Sequence, residues 1–295
     1  MYSLKNWLIL IALAITWGSS FILIKRGLFA ADDTALFSGV QVGALRIIIA
    51  AVFLAPIALR RVGLLKNGKL KFFLAIGLFG NAMPAFLFAT AQTEIPSSLA
   101  GMLNALVPVF SLLIAVFVFK VKVKNWQIVG IIIGLLAAVG LVLGSGKLAG
   151  AEINLGFSFL VVLATLSYAI SLNTMKQFLQ NEPAVAITSL ALLLVSPIGF
   201  AALLSTDFLH KMETLPGAWY GLGSIAILAV LGTAIALVLF NKLVQDTNTL
   251  FASSVTYLIP IVAIGWGMLD GERLSAIQIG CAFVMLAGIV LINRK

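Results

Sequence analysis

Two apolar stretches of the chain each carry a polar side chain followed, four residues later, by a proline. In the first stretch Asn104 precedes Pro108, and in the second Thr256 precedes Pro260. Proline has no amide hydrogen and its ring clashes with the carbonyl four residues back, so in a helix each proline would free the carbonyl of the polar residue. The freed carbonyls of two kinked helices could accept hydrogen bonds from a substrate. The alternative is that Asn104 and Thr256 only repair the kinks.

Other polar or aromatic side chains lie near the middle of apolar runs, where they could line a binding cavity. Together with Asn104 and Thr256, the substrate-binding candidates are Trp17, Ser19, Ser20, Asn81, Tyr168, Ser253 and Tyr257. The aromatic pair Trp17 and Tyr168 could sandwich a substrate or gate it. For the serines the alternative is a contact between helices, which small hydroxyl side chains also make in membranes.

Three basic residues could recognise an anionic group. Arg46 lies about nine residues inside an apolar run, and an ionisable group within the membrane is costly and by default functional. Its planar fork could bind a carboxylate or a phosphate, or it could cap carbonyls or extend to the interface. Lys25 and Lys176 close two other runs, and they either attract anions to the two mouths of a cavity or anchor the helix ends.

The acidic residues argue against several kinds of chemistry. All ten Asp and Glu residues lie in connections or at the edges of apolar runs. Proton-driven cation pumps need a titratable group within the membrane, so neutral or zwitterionic cargo fits better. The single histidine, His210, lies in a connection, and neither a nucleophile–base pair nor a cluster of metal ligands is visible. We expect no catalytic activity, no metal site and no cofactor.

The composition indicates an all-α polytopic membrane protein. The 295 residues are 62% hydrophobic and 10% charged, whereas a soluble domain carries about 25% charged residues. Ten apolar runs are long enough for spanning helices of about 20 residues, and they are too uniformly apolar for the alternating strands of a barrel. The runs are 7–29, 37–59, 70–91, 97–119, 125–144, 155–178, 184–204, 217–241, 249–269 and 275–293.

The charge distribution predicts the orientation in the membrane. With ten spans both termini lie on one side, which carries 13 of the 19 basic residues against 5 on the other side. Because basic residues concentrate on the cytoplasmic side, we expect both termini in the cytoplasm and the protein in the inner (plasma) membrane. The net charge of +9 is then a topology signal, and no basic stripe with interleaved aromatic residues indicates nucleic-acid binding.

The chain contains an internal repeat of five spans. Matched pairs at offsets of 151 or 152 residues include Trp17 with Tyr168, Lys25 with Lys176, Gly80 with Gly232, Phe88 with Phe240 and Pro108 with Pro260. We therefore divide the chain into two domains, 1–148 and 149–295. Since five is odd, the second half inserts upside down, and inverted repeats of this kind build transporters with a midplane site. Glycines at 130, 134, 280 and 288, in the last run of each half, predict close helix packing.

The order of these residues resembles a known family. The first run reads Trp17-Gly18-Ser19-Ser20-Phe21, the second carries Leu45-Arg46, and Gly271-Glu272-Arg273-Leu274 precedes the last. With the prolines of the fourth and ninth runs, this order resembles the EamA-domain branch of the drug/metabolite transporter superfamily over nearly the whole chain. The resemblance implies a ten-helix exporter or permease of small metabolites, with a central cavity lined mainly by helices one, three, four, six, eight and nine. One departure is Lys120-Val121-Lys122, which stands where the second half has Gly271-Glu272, so the glutamate is not duplicated.

We expect a transmembrane permease or exporter of small amphipathic metabolites, such as amino acids or related compounds, that works by alternating access at a midplane cavity. Its partners would be the small-molecule substrate and the lipid bilayer, without nucleic acid, and both a monomer and a homodimer remain open. A channel and a structural membrane subunit are the alternatives, although no ring of charge or carbonyl-rich filter motif indicates a channel. An intramembrane enzyme fits least.

Overall fold

The helices form ten apolar segments, here named spans 1 to 10. A computed structural model describes residues 3–66, 68–145, 155–247 and 255–293. In chain order the helices within these ranges are Leu4–Leu28 (span 1); Gly39–Arg61 and Val62–Leu65 (span 2); Leu70–Gly77, Leu78–Ala82 and Met83–Ala91 (span 3); Ser97–Leu103, Asn104–Leu106 and Val107–Phe117 (span 4); Asn125–Ser145 (span 5); Leu155–Phe178 (span 6); Ala184–Leu204 (span 7); Phe208–Thr214 (a connection); Ala218–Ile227, Leu228–Ile235 and Ala236–Asp246 (span 8); Val255–Leu269 (span 9); and Ala276–Asn293 (span 10). By length and composition, eight of the described segments are suited to cross a membrane, and spans 9 and 10 are shorter apolar helices. The predicted all-α membrane fold is confirmed.

Capping boxes fix where two of the spans begin. At the start of span 2, Ser38 Oγ accepts from the Gln41 amide at 3.2 Å and Gln41 Oε1 accepts from the Ser38 amide at 2.8 Å. Ser275 and Gln278 make the same reciprocal pair at the start of span 10, at 3.0 and 2.9 Å. These side chains satisfy amides that the first helical turn leaves without intrahelical partners. Polar residues in short connections thus set the starts of apolar helices.

The packing of the spans follows the repeat. Span 2 packs against span 7 and span 5 against span 10, so these contacts join equivalent spans. Other contacts come in equivalent pairs. Span 1 packs against span 9 as its equivalent, span 6, packs against span 4, and span 3 packs against span 6 as span 8 packs against span 1. Replacing each span by its equivalent therefore leaves the packing unchanged, as a two-fold relation between the halves requires. Because equivalent spans run in opposite directions, the axis lies in the membrane plane.

Glycines let spans 5 and 10 meet backbone to backbone. A Cβ placed on Gly130 would lie 2.6 Å from the carbonyl oxygen of Gly288, and one placed on Gly288 would lie 2.9 Å from that of Gly130. Gly134 faces Val109 of span 4, whereas Gly280 of span 10 faces open space. The close packing expected from the sequence is therefore present at Gly130, Gly134 and Gly288 but not at Gly280.

We predict that Gly288→Ala lowers the thermal unfolding temperature in detergent micelles by several degrees relative to Gly280→Ala. Both substitutions raise helix propensity equally, so their difference isolates the clash of the new Cβ with the span 5 backbone. Overpacking of this kind costs about 1–3 kcal/mol. Equal unfolding temperatures for the two variants would show that the helix pair separates without cost.

Candidate functional site

A cavity of about 170 Å³ lies between the two halves of the protein. Its walls come from spans 1 to 4 and 6 to 9, and among the described residues spans 5 and 10 contribute none of the lining side chains. The resemblance implied six of these helices, and the structure adds spans 2 and 7. Seven candidates from the sequence line this cavity: Trp17, Ser20, Arg46, Asn81, Asn104, Tyr168 and Thr256.

Two π-helical segments pass the cavity at equivalent places in the two halves. Leu78–Ala82 interrupts span 3 and Leu228–Ile235 interrupts span 8. In each segment a polar side chain donates to the carbonyl five residues back: Asn81 Nδ2 to Ile76 at 3.3 Å, and Thr233 Oγ1 to Leu228 at 3.4 Å. A π-helical turn widens the helix and exposes backbone groups, and such turns are frequent at functional sites. The chain thus places one polar side chain on each widened turn at the cavity.

Spans 1 and 6 lie against these widened turns through equivalent residues. Trp17 Nε1 donates to the carbonyl oxygen of Gly232 at 3.0 Å. A Cβ on Gly232 would lie 2.9 Å from Ser20 Oγ, and a Cβ on Gly80 would lie 2.3 Å from Ser171 Oγ. The absence of a side chain at both glycines leaves room for the two serine hydroxyls.

Aromatic pairs flank the cavity in the same equivalent manner. The rings of Trp17 and Phe240 lie 5.1 Å apart, and those of Tyr168 and Phe88 lie 6.0 Å apart. Trp17 is equivalent to Tyr168 and Phe240 to Phe88. All four rings line the cavity, so each half supplies one ring to each pair.

Arg46 departs from this symmetry. Its Nε donates to Thr233 Oγ1 at 2.9 Å across the boundary between the halves, and its side chain lines the cavity. Within the described ranges no carboxylate pairs with its guanidinium. The equivalent position in span 7 is Pro197, so only one half contributes a cation here.

Several candidates from the sequence lie away from the cavity. Ser19 Oγ accepts from Trp266 Nε1 at 2.7 Å, and the Tyr257 hydroxyl donates to the Ile289 carbonyl at 3.2 Å. Lys176 is exposed, and Ser253 lies outside the described residues. The two prolines, Pro108 and Pro260, do not line the cavity either.

The first of the two proline sites differs from the sequence prediction. Before Pro108 the helix tightens into the 3₁₀ turn Asn104–Leu106, and the Asn104 carbonyl accepts from the Val107 amide. That carbonyl is therefore not free, because the tighter turn supplies a donor one residue before the proline. Pro260 instead lies inside the continuous helix Val255–Leu269. What the two sites share is a polar side chain, Asn104 or Thr256, at the cavity.

An ion cluster ties together the ends of spans 1, 4 and 9 at the end of the bundle opposite the chain termini. Lys25 Nζ lies 2.5 Å from Asp270 Oδ2 and 3.5 Å from Glu272 Oε1, and Arg26 also pairs with Asp270. Glu272 Oε1 accepts from the amide and the hydroxyl of Ser97 at 2.9 and 2.7 Å. Lys25 is thus held by carboxylates rather than standing at a cavity mouth as an unpaired cation. At the equivalent place in the first half the chain has Lys120 and Lys122, both exposed.

Comparison with known proteins gives the family. Residues 5–143 and 156–294 each match the EamA-like transporter family. The chain belongs to this family. The two matches leave the connection between spans 5 and 6 unmatched, in keeping with one family unit in each half.

Similar full-length proteins are also named as transporters. The chain is 26% identical to a probable amino-acid metabolite efflux pump of Salmonella typhimurium LT2, over 98% of this chain and 95% of that protein. It is 28% identical to the uncharacterized inner membrane transporter YedA of Escherichia coli K12, over 96% and 89%, and 25% identical to an uncharacterized transporter of Archaeoglobus fulgidus, over 99% and 100%. A solved crystal structure with 16% identity has a TM-score of 0.62 and covers 97% of this chain and 96% of that chain, which supports the fold alone. The protein is a multi-pass membrane transporter.

In this EamA-like transporter, several cavity or cluster residues were not among the sequence candidates, including Gly80, Ser171, Thr233 and Asp270. The repeat offset could have found two of them, because Ser171 is the equivalent of Ser20 and Thr233 that of Asn81. Asp270 gave no such signal, since its role depends on the distance between the ends of spans 1 and 9.

The EamA-like transporter holds the Glu272 carboxylate in its charged form. Burial raises the pKa of Glu272, but the hydrogen bonds from Ser98 and Ser97 together outweigh burial, so the pKa lies below its ordinary value of 4.5. The Glu272 oxygens cap the first turn of span 4, where amide groups and the helix dipole favour a negative charge. The interaction therefore stabilises the fold fully above pH 4.5 and is lost as the pH falls through the lowered pKa.

We predict that Glu272→Gln costs about 1.5–3 kcal/mol of stability at neutral pH, as expected for hydrogen bonds to a charged group. The wild-type unfolding temperature should exceed that of the variant at pH 7, and the difference should shrink as the pH falls below 4.5. Glu94→Gln, at an exposed carboxylate in the connection before span 4, is the control and should match the wild type throughout. A difference independent of pH would contradict a role for the charge.

Proposed function

We propose that the protein moves small amphipathic metabolites, such as amino acids or related compounds, across the inner membrane by alternating access. The observation that carries the proposal is a cavity between the two halves, lined by equivalent residues from each. Transporter sites built from inverted repeats lie in this position, and rocking of one half against the other exposes them to either side.

The ion cluster supports a gate at one end of the cavity. Lys25 and Arg26 of span 1 join Asp270 and Glu272, which follow span 9, and Glu272 also binds the start of span 4. Opening this end requires these contacts to break. At the opposite end the equivalent residues Lys120 and Lys122 are exposed cations, and Lys69 pairs with Glu182 between the starts of spans 3 and 7.

The character of the lining supports small zwitterionic or neutral cargo. Asn, Ser, Thr and Tyr side chains lie among apolar and aromatic ones, and no Asp or Glu of the described residues lines the cavity. Small-molecule sites commonly combine an apolar wall with a few placed polar groups. The relatives named as amino-acid metabolite efflux pumps favour amino acids or their derivatives as the cargo.

The orientation is part of the proposal. We infer that both termini face the cytoplasm, because the side that they share carries most of the basic residues. The ion cluster then closes the outer end of the cavity. Residues 1–148 and 149–295 serve as the two halves that exchange conformations.

We predict saturable counterflow of amino acids by the purified protein in proteoliposomes. With an excess of one unlabelled amino acid inside, uptake of the same labelled compound should accelerate several-fold over empty vesicles, because a loaded carrier returns without a slow empty step. A panel of the twenty amino acids identifies the substrates.

Protein-free liposomes are the control for leakage. Flux without acceleration by internal substrate would indicate a channel, and absence of flux for the whole panel would contradict amino-acid transport.

A further inference from the structure

The two widened turns carry equivalent polar atoms with different partners. Thr233 Oγ1 accepts the hydrogen bond from Arg46 Nε at 2.9 Å. At the equivalent position, Asn81 Oδ1 is buried and has no hydrogen-bond partner among the described residues, although its amide donates to Ile76. Asn81 is 7% exposed and lines the same cavity. A buried acceptor without a donor carries a free-energy cost that a donor on a ligand removes.

Arg46 offers the complementary donors. Its Nε is used by Thr233, and in the part of the chain that the structure describes its guanidinium has no carboxylate partner. The planar fork of arginine fits a carboxylate with two parallel hydrogen bonds. The cavity therefore presents a cationic donor and an unpaired neutral acceptor.

Arg46 and Asn81 come from neighbouring parts of spans 2 and 3. Ile47, the residue after Arg46, and Ala82, the residue after Asn81, belong to the same buried apolar cluster. Both polar side chains line one small cavity. This placement suits a ligand whose anionic and cationic groups are close together.

The remaining wall favours an apolar substituent on that ligand. Six spans each contribute an aliphatic side chain to this wall. These side chains are Ile24, Ile47, Leu172, Leu192, Leu237 and Ile259, from spans 1, 2, 6, 7, 8 and 9. Apolar groups gain free energy by contact with such a wall in place of water. A plain carboxylate would leave Asn81 Oδ1 unpaired, and a plain amine would bring a cation beside Arg46.

We propose that the substrate is an α-amino acid with an apolar side chain, whose carboxylate binds Arg46 and whose ammonium group donates to Asn81 Oδ1. This assignment rests on the proposed transport function and adds the atoms that select the cargo. It explains why the halves differ at this point. A dipolar ligand needs a hydrogen-bond donor, Arg46, beside the widened turn of span 8 and an acceptor, Asn81 Oδ1, on the widened turn of span 3.

The first test compares L-leucine with two analogues of the same shape in the wild-type protein. 4-Methylpentanoate lacks the ammonium group and 3-methylbutylamine lacks the carboxylate. Each should compete with tritiated leucine about 10- to 100-fold more weakly than leucine itself, since each loses a hydrogen bond to or from a charged group. Equal competition by either analogue, or no binding of leucine, overturns the assignment.

The second test assigns each end of the ligand to its residue. Arg46→Gln should weaken leucine binding about 10- to 100-fold without weakening 3-methylbutylamine, whose binding should if anything improve because the variant removes the cation beside the amine. Asn81→Leu should weaken leucine similarly while leaving 4-methylpentanoate unchanged, and Asn81→Thr, which restores a hydroxyl acceptor, should recover most of the affinity.

The matched control is Gln92→Leu. Gln92 is a buried amide whose side-chain atoms also have no partner among the described residues, but it does not line the cavity. Its substitution should leave leucine binding unchanged, and an equal loss in this variant would show that buried amides act through stability.

Binding and transport separate the two proposals. Leucine binding with the stated analogue pattern but without counterflow would contradict alternating access and leave the assignment intact. Counterflow of leucine that is indifferent to both Arg46 and Asn81 would leave the transport function intact and overturn the assignment.

Discussion

Backbone hydrogen bonding within an apolar surrounding is the constraint on which the rest of the structure depends. A carbonyl or amide without a partner in the hydrocarbon costs several kcal/mol, so irregular backbone is tolerated only against protein or a cavity. The breaks in spans 3, 4 and 8 all lie beside the central cavity. At each break a local donor satisfies the disturbed carbonyl: the Asn81 amide, the Thr233 hydroxyl or the backbone amide of Val107. Polar side chains in the middle of these apolar helices therefore supply hydrogen bonds at the breaks. They reach the cavity because the breaks lie beside it.

Most residues around the cavity follow the two-fold relation between the halves, and Arg46 does not. The equivalent pairs, such as Trp17 with Tyr168 and Ser20 with Ser171, give both halves the same packing around the cavity. The proposed exchange of conformations between the halves would need this similarity. Recognition of the proposed asymmetric ligand would need the opposite, and Arg46, whose equivalent is Pro197, is the residue that breaks the symmetry at the cavity.

The charged residues also differ between the two ends of the bundle. The side chains of Asp270 and Glu272 are almost fully buried, with Lys25 and Arg26 beside Asp270 and the first amides of span 4 on Glu272. Among the described residues, the equivalent Lys120 and Lys122 pair with no carboxylate, although Lys69 pairs with Glu182 between the starts of spans 3 and 7.

The sequence by itself determined the membrane class, the ten spans, the two-half organisation and seven of the side chains at the cavity. These follow from hydrophobicity, span length and a repeat offset, which are properties of the chain read in order. It did not determine that Ser19 and Tyr257 face other helices, because the rotation of each helix about its axis is set by the packing of its neighbours. It did not determine that Asn104 keeps its carbonyl bonded, because a 3₁₀ turn competes with a kink and the surrounding helices select between them. Only the tertiary structure brought Lys25 to Asp270 and Arg46 to Thr233, since residues 245 and 187 positions apart meet through helix packing rather than through local sequence.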